Sequence, residues 1–159
     1  MTEPASLKIE YVPLASLIVN DRNSRDHGED ILQIAKSIEH FGGTNPILLQ
    51  KGTSKIIGGH GRALAALKLG IKEVPVIFLG MDDLNARRYT ITDNKTAENS
   101  KWNYPILKDE LAELNDGAFD LEILGFSEDD LQELCEWEKS TKVVCPKCYH
   151  EFEYQEITK

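Results

Sequence analysis

Apolar and polar positions alternate through Leu7-Lys8-Ile9-Glu10-Tyr11-Val12, which predicts a strand over 7–12. Pro13 to Leu17 then turns the chain, and Ile18-Val19 leads into a polar loop from Asn20 to Gly28. The period changes to that of a helix from Glu29 to Phe41. There Ile31, Ile34, Ala35 and Ile38 share one face and Gly42-Gly43 supplies the stop. Two short apolar runs, Pro46 to Gln50 and Lys55 to Ile57, flank Lys51-Gly52-Thr53-Ser54 and predict a hairpin. A helix over His60–Leu69 stops at Gly70, and Val74 to Leu79 is apolar throughout, as a buried strand is. A helix from Asp82 to Ile91 and a polar segment from Thr92 to Asn103 follow.

Beyond that point the pattern is helical. Pro105–Leu114 and Ser127–Lys139 read as helices, the second opened by Ser127 with acids in its first turn. Leu121 to Phe126 is a short apolar link between them, and Glu151–Ile157 is a candidate strand. Strands and helices mixed without strict βαβ alternation favour an α+β fold. The 159 residues suit one domain with appendages, and 41% hydrophobic residues suffice for a core.

Charge divides the chain. Residues 1–104 hold 13 Lys and Arg against 12 Asp and Glu, whereas residues 105–159 hold 5 against 15. The net charge of −9 therefore belongs to the tail, and bulk charge argues against sequence-independent DNA binding. An acidic solvated helix surface also explains such a tail. No apolar run reaches membrane-span length, Met1-Thr2-Glu3-Pro4 lacks a signal-peptide pattern, and three cysteines are too few for a disulfide scaffold. A cytoplasmic location without membrane partners is expected.

Chemistry concentrates in Ile56-Ile57-Gly58-Gly59-His60-Gly61-Arg62-Ala63-Leu64-Ala65-Ala66. An apolar pair, three glycines and a run of helix formers read as strand, tight turn and helix N-terminus. Backbone N–H groups at such a turn favour an anion, glycines admit a phosphate close to the backbone, and Arg62 offers a fork of donors. Two further polar clusters lie at ends of elements: Asn20 to Arg25, and Asp93-Asn94 with Glu98-Asn99 behind it. An acid beside an amide can hold Mg²⁺ through oxygen. Together the three outline a Mg·NTP site; singly, a Gly-Gly-x-Gly turn is also structural punctuation and a first-turn arginine surface decoration.

From Leu7 to Asn103 the order of these motifs resembles the N-terminal domain of the ParB/sulfiredoxin superfamily. Asn20 to Arg25 stands where that family has an N-P-x-x-P-R-like loop, and Gly42 to Ile47 fits its glycine and Q-P-I strand. Gly59 to Ala66 aligns with its G-E-R-R-x-R-A-A box, and Asp93 to Ala97 with its E-N-x-x-R box. Gly58 to Arg62 lies opposite the sulfiredoxin sequence G-G-C-H-R, with His60 in place of the reactive cysteine. Sulfinic-acid reductase activity is rejected on that ground. The variant most similar is the phage type that precedes DNA methyltransferases, with its G-H-G-R and D-N-K-x-A-E-N segments.

The resemblance implies a small mixed sheet with flanking helices over 1–104, binding a nucleoside triphosphate such as CTP or ATP with Mg²⁺. Gly59, Gly61 and Arg62 would hold phosphates, Gly58, His60 and Arg25 would join them in binding the nucleotide, Thr44 and Asn45 would lie near base or ribose, and Asp93 and Asn94 would serve metal and phosphate. Glycine at 61 and alanine at 97 each replace a box arginine, which places hydrolysis further in doubt than binding. Catalytic candidates are His60, Asp93 and Glu29, the last by likeness to a serine-phosphorylating branch. The tail then comprises an acidic helical extension over 105–140 and a knuckle-like hairpin over 141–159. In the hairpin Cys145-x-x-Cys148 is half a zinc ribbon that His150 and Cys135, or a second chain in a homodimer, could complete.

Three readings of function follow. One is a ParB-like nucleotide-binding module acting on DNA or a DNA-bound protein, of phage or mobile-element origin. The second is a ParB-like nuclease or small-molecule kinase. The third is an interaction or inhibitor protein whose acidic tail binds a host factor.

Overall fold

The computed structural model describes residues 7–20, 22–25, 27–28, 30–114, 121–127, 129–130, 142–144 and 151–153. The chain divides into two compact units, Met1–Lys101 and Trp102–Lys159. Glu29 lies outside the described residues, as do Cys135, Cys145, Cys148 and His150.

The first unit is built on a four-stranded mixed sheet in the order β1-β4-β2-β3. These strands are Ile9–Pro13 (β1), Ile47–Gln50 (β2), Ile56–Gly58 (β3) and Glu73–Leu79 (β4). β4 pairs antiparallel with β1, placing Tyr11 opposite Pro75, and parallel with β2, placing Ile47 opposite Val76. β2 and β3 form the anticipated hairpin, with Leu48 opposite Gly58. The parallel β2–β4 pair needs a crossover, and the helix His60–Lys68 (α2) supplies it. Ala63 and Ala66 of α2 lie in one core cluster with Ile47, Leu49, Ile56, Val74 and Val76, so small residues bring the helix close to the sheet. A first helix, Asp30–Phe41 (α1), packs along α2.

The helix Asp83–Asn99 (α3) closes the unit. Its N-terminus is capped by Asp82, whose carboxylate accepts from the amide of Asn85 at 2.8 Å. Two buried polar groups secure it to the sheet. The Thr90 hydroxyl donates to the carbonyl oxygen of Ile57 at 2.8 Å, and the Gln50 amide donates to the carbonyl of Met81 and to Asp83. α3 runs eight residues beyond the expected end at Ile91. The segment Thr92–Asn99 is polar apart from Ala97, so no apolar stripe marks it as helix. Its local support is the i, i+3 pair of Lys95 and Glu98 at 3.0 Å, while Thr92 and Thr96 keep their hydroxyls satisfied on carbonyls four residues earlier.

In the second unit the helix Tyr104–Leu114 (α4) matches expectation within one residue, and the apolar link becomes a 3-10 turn at Leu121–Leu124. Ser127 and Asp130 form a reciprocal cap. The Ser127 amide donates to the Asp130 carboxylate at 2.8 Å and the Asp130 amide donates to the Ser127 hydroxyl at 3.1 Å. Lys142–Val144 (β5) pairs antiparallel with Glu151–Glu153 (β6). Among the described residues no helix is long and apolar enough to cross a membrane.

Candidate nucleotide-binding site

The turn between β3 and α2 forms because Gly59 adopts a left-handed conformation, with φ 87° and ψ 30°, as the N-cap of α2. The first helical bond runs from the amide of Ala63 to the carbonyl of Gly59, at 3.1 Å. The amides of His60, Gly61 and Arg62 therefore precede the helical ladder, at the positive end of the helix dipole.

Arg62 curls back over this turn. A Cβ placed on Gly59 would lie 2.7 Å from Arg62 Nη2 and 2.8 Å from Nε, so the guanidinium occupies the space that glycine leaves. Arg62 is half-buried and its Nε is buried with no hydrogen-bond partner. Burial holds its pKa below the ordinary arginine value, and the charge of Asp93 works in the opposite direction. A partly desolvated guanidinium with an unpaired donor is costly unless an anion meets it.

Asp93 approaches from α3. Its Oδ2 would lie 3.4 Å from a Cβ on Gly58, which sets the carboxylate against the same turn. Tyr89, one helical turn earlier, donates its hydroxyl to Asp93 Oδ1 at 3.5 Å, and burial followed by the Asp93 charge raises its pKa. Asn94 accepts from Arg25 Nη1 at 3.5 Å, which links the loop after β1 to α3. The two further polar clusters are thus linked to each other through Arg25 and Asn94, and to the glycine turn through Asp93. Thr44 and Asn45 are exposed and precede β2 at the end of the sheet where β3 finishes. Asp93 is exposed and can share a hard cation with a ligand's phosphates, which suits Mg²⁺ better than an all-protein cage.

His60 is 7% exposed, and its Nε2 is buried with no hydrogen-bond partner. Burial first, and His27 second, push its pKa below the ordinary 6.5. The folded state then binds this proton less readily than the unfolded chain. Stability is complete above pH 6.5 and falls as the pH drops from there toward the lowered value. We expect the melting temperature to decline between about pH 7.5 and 5.5, and His60→Gln to flatten that decline; parallel profiles for the two proteins would refute it.

Four residues around the turn carry no assignment from sequence: His27, Asp30, Tyr89 and Thr90. Tyr89 was detectable from its i, i+4 spacing to Asp93. His27 and Asp30 carried no comparable signal, because their place depends on how α1 meets α2.

The ParB N-terminal domain family matches residues 2–95, and the ParB-methyltransferase HTH domain matches residues 105–153. The ParB-like nuclease domain-containing protein YnaK of Escherichia coli (strain K12) is 46% identical over 85 residues, which are 52% of this chain and 95% of that protein. Among solved structures, the C-terminally truncated chromosome-partitioning protein ParB from Caulobacter crescentus, complexed with CTP-γ-S, superposes with a TM-score of 0.67. It shares 21% identity over 84% of this chain and 79% of that chain. The C2221 form of a Pnob8-like ParB-N domain gives a TM-score of 0.51 at 18% identity, over 96% of this chain and 59% of that one. At these identities the two structures establish a shared fold.

Proposed function

The chain belongs to the ParB N-terminal domain family, and from that premise we propose that it is a nucleotide-binding module of a DNA-associated process. The ligand is a nucleoside triphosphate with Mg²⁺, CTP or ATP, its phosphates seated on the turn from Gly58 to Arg62. The observation that carries this reading is the Arg62 guanidinium folded over Gly59 with an unpaired, buried Nε. That is a costly arrangement in the free protein, and phosphate oxygens relieve it. The CTP-γ-S held by the similarly folded Caulobacter protein supports the choice of ligand class.

In this reading the amides of His60, Gly61 and Arg62 and the Arg62 fork hold the phosphate chain. Mg²⁺ neutralises phosphate charge, and Asp93, steadied by Tyr89, takes one place in its shell. Arg25 and Asn94 complete the rim. The helix-turn-helix match over 105–153 supports the link to DNA. Since residues 105–159 carry 5 basic against 15 acidic residues, that link runs through specific contacts or through a DNA-bound protein partner.

Nuclease chemistry finds less support. Its obvious carboxylate pair is Asp93 and Glu98, five residues apart on α3 and so about 140° apart around the helix. Glu98 is moreover engaged by Lys95 at 3.0 Å.

Calorimetric titration of the full chain with CTP, ATP and GTP in the presence of Mg²⁺ tests the proposal. We expect at least one to bind with a micromolar dissociation constant. Failure of all three to bind below millimolar concentration would overturn it.

A further inference from the structure

Gly61 lies between His60 and Arg62 on the first turn of α2, and the space above it is occupied from α1 and the loop before it. A Cβ at Gly61 would lie 2.8 Å from Ile34 Cδ1, 3.1 Å from His27 Cε1 and 3.2 Å from His27 Nδ1. The His27 imidazole therefore rests directly on the turn that the phosphate reading requires. Its orientation is fixed: Nδ1 lies 2.8 Å from Asp30 Oδ2. With Nδ1 committed to the carboxylate, Nε2 is the nitrogen left for another partner, and none of the described residues bonds to it.

The pair does not look like a self-sufficient structural contact. Asp30 keeps its other oxygen, Oδ1, buried with no partner, which is a net cost to the free fold. Nε2 of the 7%-exposed His60 and Nε of Arg62 are orphaned at the same turn. Two of these unpartnered atoms belong to residues on the first turn of α2 and the third to the carboxylate that holds His27 against it. Among the described residues, the charged and titratable groups related to the His27 ring are Asp30 on α1 and His60 on α2. Hydrogen bonding to His27 holds the Asp30 carboxyl below the ordinary carboxylate value, so Asp30 stays an acceptor across the neutral range.

We infer that His27, held by Asp30, is a further phosphate-binding side chain, donating from Nε2 to the polyphosphate chain at the position where Gly61 has no side chain of its own. This rests on the nucleotide-binding reading and adds a side-chain donor beside Gly61. Histidine donates from both ring nitrogens when protonated, and a carboxylate on Nδ1 fixes which edge faces the ligand. Asp30 is a positioning residue; it acts through the ring. Recognition is of the phosphates rather than the base, so the contribution is equal for every nucleotide that binds.

The test uses the full chain with Mg²⁺ and four probes: CTP, ATP, GTP and inorganic tripolyphosphate. His27→Ala should weaken every probe that binds the unsubstituted protein by a common factor of about ten to a hundred. In the unsubstituted protein, ¹⁵N resonances of the His27 ring should shift on adding tripolyphosphate, a readout that needs no variant to fold. Unchanged affinity in His27→Ala, or unmoved ring resonances while a nucleotide binds, would overturn the role of His27 and leave the pocket intact. Absence of binding by all four probes to the unsubstituted protein would overturn the pocket and this inference together.

Discussion

Replacing Arg62 with alanine will lower affinity for a nucleoside triphosphate about a hundredfold, and will leave the melting temperature unchanged or slightly raised. The two halves of this expectation share one cause. In the free protein the guanidinium is half-buried over Gly59 and its Nε lacks a partner, so it contributes desolvation cost without a compensating bond. Asp93 offsets only part of that cost through space. In the complex the same group makes charge-assisted bonds to phosphate oxygens, each worth about 1.5–3 kcal/mol, and about 1.4 kcal/mol corresponds to tenfold in affinity. Arg62→Lys should recover little, since a point charge cannot reproduce the planar fork. Calorimetry and thermal unfolding of the same preparations decide the matter. Undiminished affinity in Arg62→Ala, or a fall of many degrees in its melting temperature, would show that Arg62 serves the fold and not a ligand.

The difference between what the residues announce and what they conceal is physical. Gly59 followed by a run of alanines and leucines is a local signal: a left-handed cap and a helix start need nothing from the rest of the chain, and both are present. The stripe of Ile31, Ile34, Ala35 and Ile38 likewise declares α1. The polar half of α3 is different. Thr92 to Asn99 shows no apolar period, and the i, i+3 pair of Lys95 and Glu98 is too weak a signal to extend the helix on its own. The site divides along the same line. Arg62 and Asp93 sit at ends of elements and were visible as chemistry. His27 was visible only as one polar residue in a polar loop. Its meaning comes from Gly61, a position whose missing side chain admits residues from α1 and its preceding loop. A vacancy on one element filled from another has no one-dimensional signature.

Gly59→Ala should therefore damage stability and binding by separable routes. At φ 87° an alanine pays the left-handed penalty of about 1–2 kcal/mol, which for a unit of this size lowers the melting temperature by about 4–16 °C. The second route is steric. The new Cβ would fall 2.7 Å from Arg62 Nη2, and since the far end of the arginine is the movable partner, the guanidinium is driven off the turn. Affinity for nucleotide should then drop nearly as far as in Arg62→Ala. Gly70 provides the control. It has φ 69° at the other end of α2, and a Cβ there meets nothing within 4 Å. Gly70→Ala should incur a similar strain and a similar loss of melting temperature while leaving nucleotide affinity unchanged at a temperature where both variants are folded. If Gly59→Ala and Gly70→Ala bind equally well, the close fit of Arg62 over Gly59 has no part in recognition, and the backbone turn alone would have to hold the phosphates.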